Sequence, residues 1–291
     1  MLCAGAYHRH EFRDTTLAQA GRERVFYPPM PRLAANLSTM FTEVPLRQRW
    51  AAAAEAGFAG VECQFPYALP PAEVAASLRD LRLRQVLINT PPGAQAGDRG
   101  LAGQPQRLQE FRAGLQQAVD YAAAIDCPRI HVMAGLRPPD LPVEAAMDHF
   151  VSNLIYAAQL CAPHGITALI EPINTRVDVP GYLLHSTADA LECLRRAAQP
   201  NLRLQFDVYH MQIMEGDLLR SLTRLLPFIG HIQIADNPGR HEPGSGEINF
   251  GFLLPQLDVL GYDGWVGCEY LPSGSTQDSL GWARKLLSQN A

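Results

Sequence analysis

From Arg32 onward, short apolar runs alternate with longer segments whose apolar positions recur at helical spacing. The runs predict strands at Leu33–Leu37, Gly60–Phe65, Gln85–Asn89, Arg129–Met133, Ile166–Glu171, Leu202–Asp207, Ile229–Ala235 and Gly264–Glu269. The amphipathic segments predict helices over Leu46–Ala56, Ala72–Leu81, Arg107–Ile125, Val143–His164, Ala188–Ala198, Leu218–Leu226, Phe250–Leu260 and Gln277–Ser288. His164-Gly165 is a helix stop, because glycine enters the left-handed turn without steric cost. Thr187 is the expected N-cap of the helix that follows it.

Strand and helix alternate strictly, with no change of composition between the halves. This pattern predicts an α/β fold, a closed (β/α)8 TIM barrel. An open doubly wound sheet would carry a glycine fingerprint after its first strand. Here that position reads Asn36-Leu-Ser-Thr-Met-Phe41, without glycine. Residues 31–291 therefore read as a single barrel domain, without internal sequence repeat. Residues 1–30 form an N-terminal extension outside the pattern. Three readings of it stay open: a disordered tail, a cap under the barrel, or an upstream extension before a start at Met30.

Composition narrows the function. At 291 residues, 47% hydrophobic and 18% charged, the chain can bury a large core. A net charge of -5 gives no reason to expect nucleic acid or an anionic membrane as a partner. No apolar run reaches the roughly 18–20 residues of a spanning helix. The six cysteines are scattered without a Cys-x-x-Cys pair and read as small core residues, and the first thirty residues lack the apolar stretch of a secretory signal. A reduced, cytoplasmic setting is the expectation. Of the 24 basic residues only Lys285 is a lysine, and it sits on the predicted last helix. Schiff-base chemistry, which needs a lysine aimed into a pocket, is poorly served.

Candidate chemistry collects at the ends of four consecutive strands: Glu171 in Leu-Ile-Glu-Pro, Asp207 in Gln-Phe-Asp-Val-Tyr-His, Gln233 in His-Ile-Gln-Ile-Ala-Asp, and Glu269 in Gly-Cys-Glu-Tyr. In a barrel these ends converge on one mouth. Three carboxylates and an amide oxygen would repel one another there unless a cation sat between them, and such oxygen ligands suit Mg²⁺ or Mn²⁺. For any single acid a helix cap or a loop hydrogen bond is the competing explanation; four on adjacent strands point to a site. Glu171 and Glu269 can move a proton between adjacent carbons. One removes it beside a polarised carbonyl and the other returns it on the neighbouring carbon, through a cis-enediolate.

His210 is placed to donate to a substrate oxygen, and Arg240 to clamp a carboxylate. Glu62 and His131 lie on predicted strands and read as hydrogen-bonded interior residues. Asn174, Asp178 and His185 either line the mouth or cap turns. His8 and His10 have metal-like spacing within a polar tail and read as solvated. Gly93–Gly103 lacks a phosphate-loop lysine, and its length suits a lid over the mouth.

These residues carry a resemblance that runs from about Pro31 to the C-terminus. Phe65-Pro-Tyr67, Gly97-Asp-Arg-Gly100, Glu171-Pro-Ile-Asn174, Pro180-Gly-Tyr182 and Phe206-Asp-Val-Tyr-His210 contribute, as does Asn89–Gly93. The most specific pieces are His231–Asn249 and Gly261–Tyr270. Together they resemble the hydroxypyruvate isomerase family of the xylose-isomerase-like barrel superfamily. The resemblance implies interconversion of hydroxypyruvate and tartronate semialdehyde. It places acid/base roles on Glu171 and Glu269, metal ligation on Glu171, Asp207, Gln233 and Glu269, and substrate contacts on His210 and Arg240. Related ketose epimerases commonly present a histidine where Gln233 stands. A neutral amide oxygen binds a divalent ion less tightly, which implies a weakly held metal.

Rival readings are 2-oxo-tetronate isomerisation or ketose 3-epimerisation at the same site, a DNA-repair endonuclease on the same barrel, and a non-catalytic binding protein. The endonuclease would need a basic groove and a histidine-rich zinc site. The expected partner is a small hydroxy- or oxo-acid. Exposed barrel helices make a homo-oligomer a further expectation.

Overall fold

The computed structural model describes residues 31–288; the N-terminal extension with His8, His10 and Cys3 lies outside the described residues. Eight parallel strands close into a barrel in sequence order: β1 (Arg32–Asn36), β2 (Gly60–Glu62), β3 (Arg84–Asn89), β4 (Arg129–His131), β5 (Thr167–Ile170), β6 (Leu202–Asp207), β7 (Ile229–Ile234) and β8 (Trp265–Cys268). β8 returns to β1 in parallel register, with Ala34 opposite Gly267. The predicted (β/α)8 barrel is the observed fold.

The surrounding helices are α1 (Leu46–Glu55), α2 (Pro71–Asp80), α3 (Leu108–Ala124), α4 (Val143–Cys161), α5 (Thr187–Ala197), α6 (Val208–Met214), α7 (Leu218–Leu225), α8 (Phe250–Val259), α9 (Thr276–Ser279) and α10 (Arg284–Leu287). None among the described residues is long and apolar enough to cross a membrane.

Three local expectations differ from the structure. Ser186, not Thr187, caps α5: its Oγ accepts from the Asp189 amide at 3.1 Å and donates to the Asp189 carboxylate at 2.7 Å. Thr187 is instead the first helical residue and donates to Glu215 Oε2 at 2.8 Å. The predicted last helix is broken into α9, a 3₁₀ turn at Leu280–Trp282, and α10. Gly281, a weak helix former, sits in that turn. α6 was not anticipated, and it matters most, because it follows β6 without a gap.

Inward-pointing residues stack in layers, because alternate residues of a strand face the same side. Along β8 and just beyond it these are Trp265, Gly267 and Glu269. Trp265 plugs the bottom against Ala34 and Val86, with the Arg32 guanidinium 4.9 Å from its ring centre. Gly60 makes room for it: a Cβ there would lie 2.6 Å from the indole. The next layer is polar. The buried Glu62 carboxylate contacts His231 Nε2 and accepts from Gln233 Nε2 at 2.8 Å and Asn36 Nδ2 at 3.1 Å. Gly267 leaves space for it, since a Cβ would fall 2.1 Å from Glu62 Oε1. The plugged bottom and this hydrogen-bonded middle leave the C-terminal end of the barrel as the open face.

Candidate active site

The top layer holds Glu171, Asp207 and Glu269, each at most 4% exposed. Glu171 and Glu269 line a cavity of about 280 Å³ together with Gln64, His131, His210 and Arg240, and Asp207 lies behind His210 and Arg240. That volume lies just below the roughly 300–1,000 Å³ of drug-sized ligand pockets, as suits a small substrate.

α6 explains how His210 reaches the site. Asp207 Oδ1 accepts from the Tyr209 amide at 2.8 Å, so the last residue of β6 is also the N-cap of α6. Helical spacing then brings His210, three residues on, back over Asp207, with Nε2 3.6 Å from Asp207 Oδ2. Asn174 sets the protonation pattern of this ring. Its Oδ1 accepts from the Val177 and Asp178 amides, both at 3.0 Å, so its NH₂ must point the other way. That group donates to Asp178 Oδ2 at 2.6 Å and to His210 Nδ1 at 2.7 Å. Burial, with Arg240 and His131 nearby, holds His210 well below its ordinary pKa. A neutral imidazole that accepts at Nδ1 carries its proton on Nε2. Ligand atoms of Glu171, Asp207 and His210 lie within 4.8 Å of one another. The tautomer nevertheless makes His210 Nε2 a donor rather than a metal ligand.

The loop after β7 delivers Arg240. Asp236 organises that loop by accepting from the amides of Asn237, Gly244, Gly246 and Ile248, at 2.8 to 3.0 Å. The Leu271 amide donates to the Arg240 carbonyl at 2.8 Å, tying the loop to the exit of β8. The Arg240 guanidinium lies 5.0 Å from the centre of the Tyr209 ring. It faces Asp178 and Glu269 at 3.5 Å each and Asp207 at 3.8 Å. Burial works against its charge, but Glu269, Asp207 and Asp178 outweigh that and raise its pKa.

Even so, burial dominates the acids. It pushes Glu269 up to about 8 and Asp207 up to about 6, against the opposing pull of Arg240. Glu171 is raised well above the carboxylate range by burial, with Glu269 and Asp207 adding to the effect. Glu171 Oε1 and Asp207 Oδ2 are buried without a hydrogen-bond partner. Orphaned acid oxygens in a buried cluster are what a divalent cation would satisfy, so the donor chemistry fits a hard metal ion. Gln233 sits a layer lower; its Oε1 accepts from Gln205 Nε2 at 2.5 Å and keeps a second lone pair.

Several predicted placements change. His131 is not a hydrogen-bonded interior residue; it lines the cavity, with Nδ1 3.3 Å from Glu171 Oε2 and both ring nitrogens otherwise unpartnered. Burial lowers its pKa to about 3, so it is neutral. Glu62 is the hydrogen-bonded interior acid expected. Asn174 caps the turn it opens by accepting from the Val177 and Asp178 amides, and it and Asp178 contact His210 and Arg240 rather than line the cavity, while His185 hydrogen-bonds the Leu183 carbonyl in its loop at 3.3 Å. Gln64 was missed: its amide donates to Glu269 Oε1. A period-2 count from Gly60 through Glu62 would have found it. Lys285 is on α10 and is not among the cavity residues.

Similarity to known proteins identifies the family. The family model described as xylose isomerase-like TIM barrel matches residues 50–286. The 2-oxo-tetronate isomerase of Pectobacterium atrosepticum is 46% identical over 261 residues, covering 89% of this chain and 99% of that protein. The hydroxypyruvate isomerase of Escherichia coli K12 is 42% identical over 254 residues, covering 87% and 98%. A Brucella melitensis crystal structure, described as an AP endonuclease of family 2, superposes with a TM-score of 0.85 at 47% identity, covering 88% and 99%. The chain therefore belongs to the xylose isomerase-like TIM barrel family and is an enzyme of the isomerase type, related to hydroxypyruvate and 2-oxo-tetronate isomerases.

Proposed function

We propose that the enzyme interconverts hydroxypyruvate and tartronate semialdehyde by proton transfer between adjacent carbons. The observation that carries this reading is the pair Glu171 and Glu269, two buried carboxyls with raised pKa values on one small cavity. A carboxyl whose pKa approaches neutrality can both take and return a proton near pH 7. One glutamate removes a proton from the hydroxymethyl carbon, leaving a cis-enediolate, and the other delivers a proton to the former carbonyl carbon. The hydroxyl proton passes between the two substrate oxygens, which balances the exchange. His210 donates from Nε2 to a substrate oxygen, Arg240 contacts a second, and Gln64 holds the Glu269 carboxyl in place. Glu171, Asp207, Glu269 and the Gln233 oxygen would hold Mg²⁺ or Mn²⁺. When bound, such an ion supplies Lewis-acid polarisation of the substrate oxygens.

The P. atrosepticum and Cupriavidus necator relatives are named 2-oxo-tetronate isomerases, which supports a four-carbon acid as the second reading. Steady-state assays on hydroxypyruvate, 2-oxo-tetronates and free ketoses separate the candidates. The proposal expects kcat/KM to be highest on hydroxypyruvate; a clearly higher value on a tetronate or a ketose overturns the choice. The endonuclease reading fits poorly, because the candidate cluster among the described residues, Glu171, Asp207 and His210, is not the histidine-rich zinc site that reaction needs. Cleavage of abasic DNA with stoichiometric zinc would restore it.

A further inference from the structure

The cavity must receive an anion if the proposed reaction is right, yet its inner wall is acidic. Arg240 already faces three carboxylates, Asp178, Asp207 and Glu269. Among the described residues one other cation lines the cavity, Arg99. It forms no ion pair with any described acid, and its guanidinium donates only to the Asp98 carbonyl, at 3.3 Å.

The loop holds this arginine from both sides. On one side, Arg107 grips Asp98 with two parallel hydrogen bonds of 2.6 and 2.8 Å, and Arg107 is itself braced by Glu110 at 2.7 and 2.9 Å. The Asp98 and Arg107 side chains are only 14% and 18% exposed, so this fork is sheltered from solvent. Asp98 Oδ2 also accepts from the Gln95 amide at 2.8 Å. Gly93, at φ +122°, leaves the room Asp98 needs, since a Cβ there would fall 2.1 Å from that carboxylate. On the other side, Gly100 bridges to Ala134 beyond β4 and its amide donates to the Pro92 carbonyl at 2.8 Å. A Cβ on Gly100, at φ +114°, would meet Met133 at 2.4 Å. An otherwise exposed arginine is thus pinned between two anchored neighbours at the cavity rim.

We infer that Arg99 is the specificity-determining cation of the site, binding the substrate's carboxylate while the acids and His210 work on the carbon–oxygen end. This division rests on the proposed reading of the site as a 2-oxo-acid isomerase. It also gives the loop over residues 91–105 a chemical role: it carries the charge that separates an oxo-acid from a neutral sugar.

The test compares the parent with Arg99→Ala and Arg99→Lys on hydroxypyruvate and on its neutral counterpart dihydroxyacetone, in which a hydroxymethyl replaces the carboxylate. For Arg99→Ala we expect KM for hydroxypyruvate to rise about tenfold, with kcat changed less than about threefold, as loss of a charge-assisted contact common to ground and transition states. Arg99→Lys should recover part of the loss, and activity on dihydroxyacetone should not move. Unchanged KM, or equal losses on both compounds, overturns the inference. Binding of D-glycerate, followed by calorimetry, provides an arm without turnover and should weaken about tenfold in Arg99→Ala. If the parent binds glycerate through Arg99 but turns over no 2-oxo acid, the inference stands and the proposed reaction falls. If the parent isomerises hydroxypyruvate and Arg99→Ala does so equally well, the reaction stands and the inference falls. A parent that binds no short carboxylate overturns both.

Discussion

Replacing Arg240 with methionine keeps an apolar stem over Tyr209 and removes the positive charge that faces Asp178, Asp207 and Glu269 at 3.5 to 3.8 Å. At such distances and an effective dielectric near 20, each contact is worth about 4 kcal/mol before desolvation. Breaking a buried pair by deleting one partner costs about 3–5 kcal/mol net. The Arg240 side chain is 21% exposed, so water recovers part of the loss and the lower end of that range applies. A loss of about 3 kcal/mol corresponds to a Tm drop of about 6–12 °C for a domain of this size.

The pH dependence has a definite sign. Burial raises Glu269 to about 8 and Asp207 to about 6 in the folded protein, so the native state holds protons that the unfolded chain has released. Stability contributed this way is present at low pH and lost as pH rises through the folded values. Without Arg240 the carboxyls shift further upward. The Tm deficit of Arg240→Met in chelator should therefore be large at pH 8.5 and small at pH 6. Scanning calorimetry at the two pH values measures it. An unchanged Tm at pH 8.5, or a deficit that grows on acidification, refutes the reasoning.

Glu171→Gln and Glu269→Gln should each lower kcat by about 10²–10⁴-fold, as loss of a general acid/base, with the far-ultraviolet dichroism of the parent. Gly267→Ala should cost about 1–3 kcal/mol in urea unfolding, because Glu62 is held by His231, Gln233 and Asn36 and cannot retreat from the added methyl. Asn174→Asp puts an acceptor where His210 Nδ1 now receives a hydrogen bond. Nitrogen-15 shifts of the imidazole should report a proton moved to Nδ1, and the kcat/KM profile should gain a limb near neutral pH.

The alternation of strand and helix was enough to place the barrel and its mouth, because the spacing of apolar side chains differs between a buried strand and an amphipathic helix whichever apolar residues are used. Glu171, Asp207 and Glu269 could be found the same way, as polar letters closing apolar strands. α6 was invisible because Val208–Met214 is one short, mostly apolar stretch that reads equally well as loop. Only the Asp207 cap and its packing make it helical, and with it the return of His210 over Asp207. The tautomer of His210 depends on Asn174, 36 residues away in sequence, and no local pattern encodes that contact. His131 looked like an interior residue since its strand position says inward but not how high. Its layer emerges only once Trp265 and Glu62 fill those below.

On the proposed reading, this barrel moves a proton between neighbouring carbons of a short oxo-acid using its two buried glutamates. Solvent exchange tests it most directly: hydroxypyruvate turned over in deuterium oxide, with and without chelator, and followed by proton NMR. The proposed reaction puts deuterium at the carbon next to the carbonyl, with incorporation lost in Glu171→Gln and Glu269→Gln and slowed by chelation. Product formed at the parent rate with no solvent deuterium, by both glutamine variants as well as the parent, would contradict it.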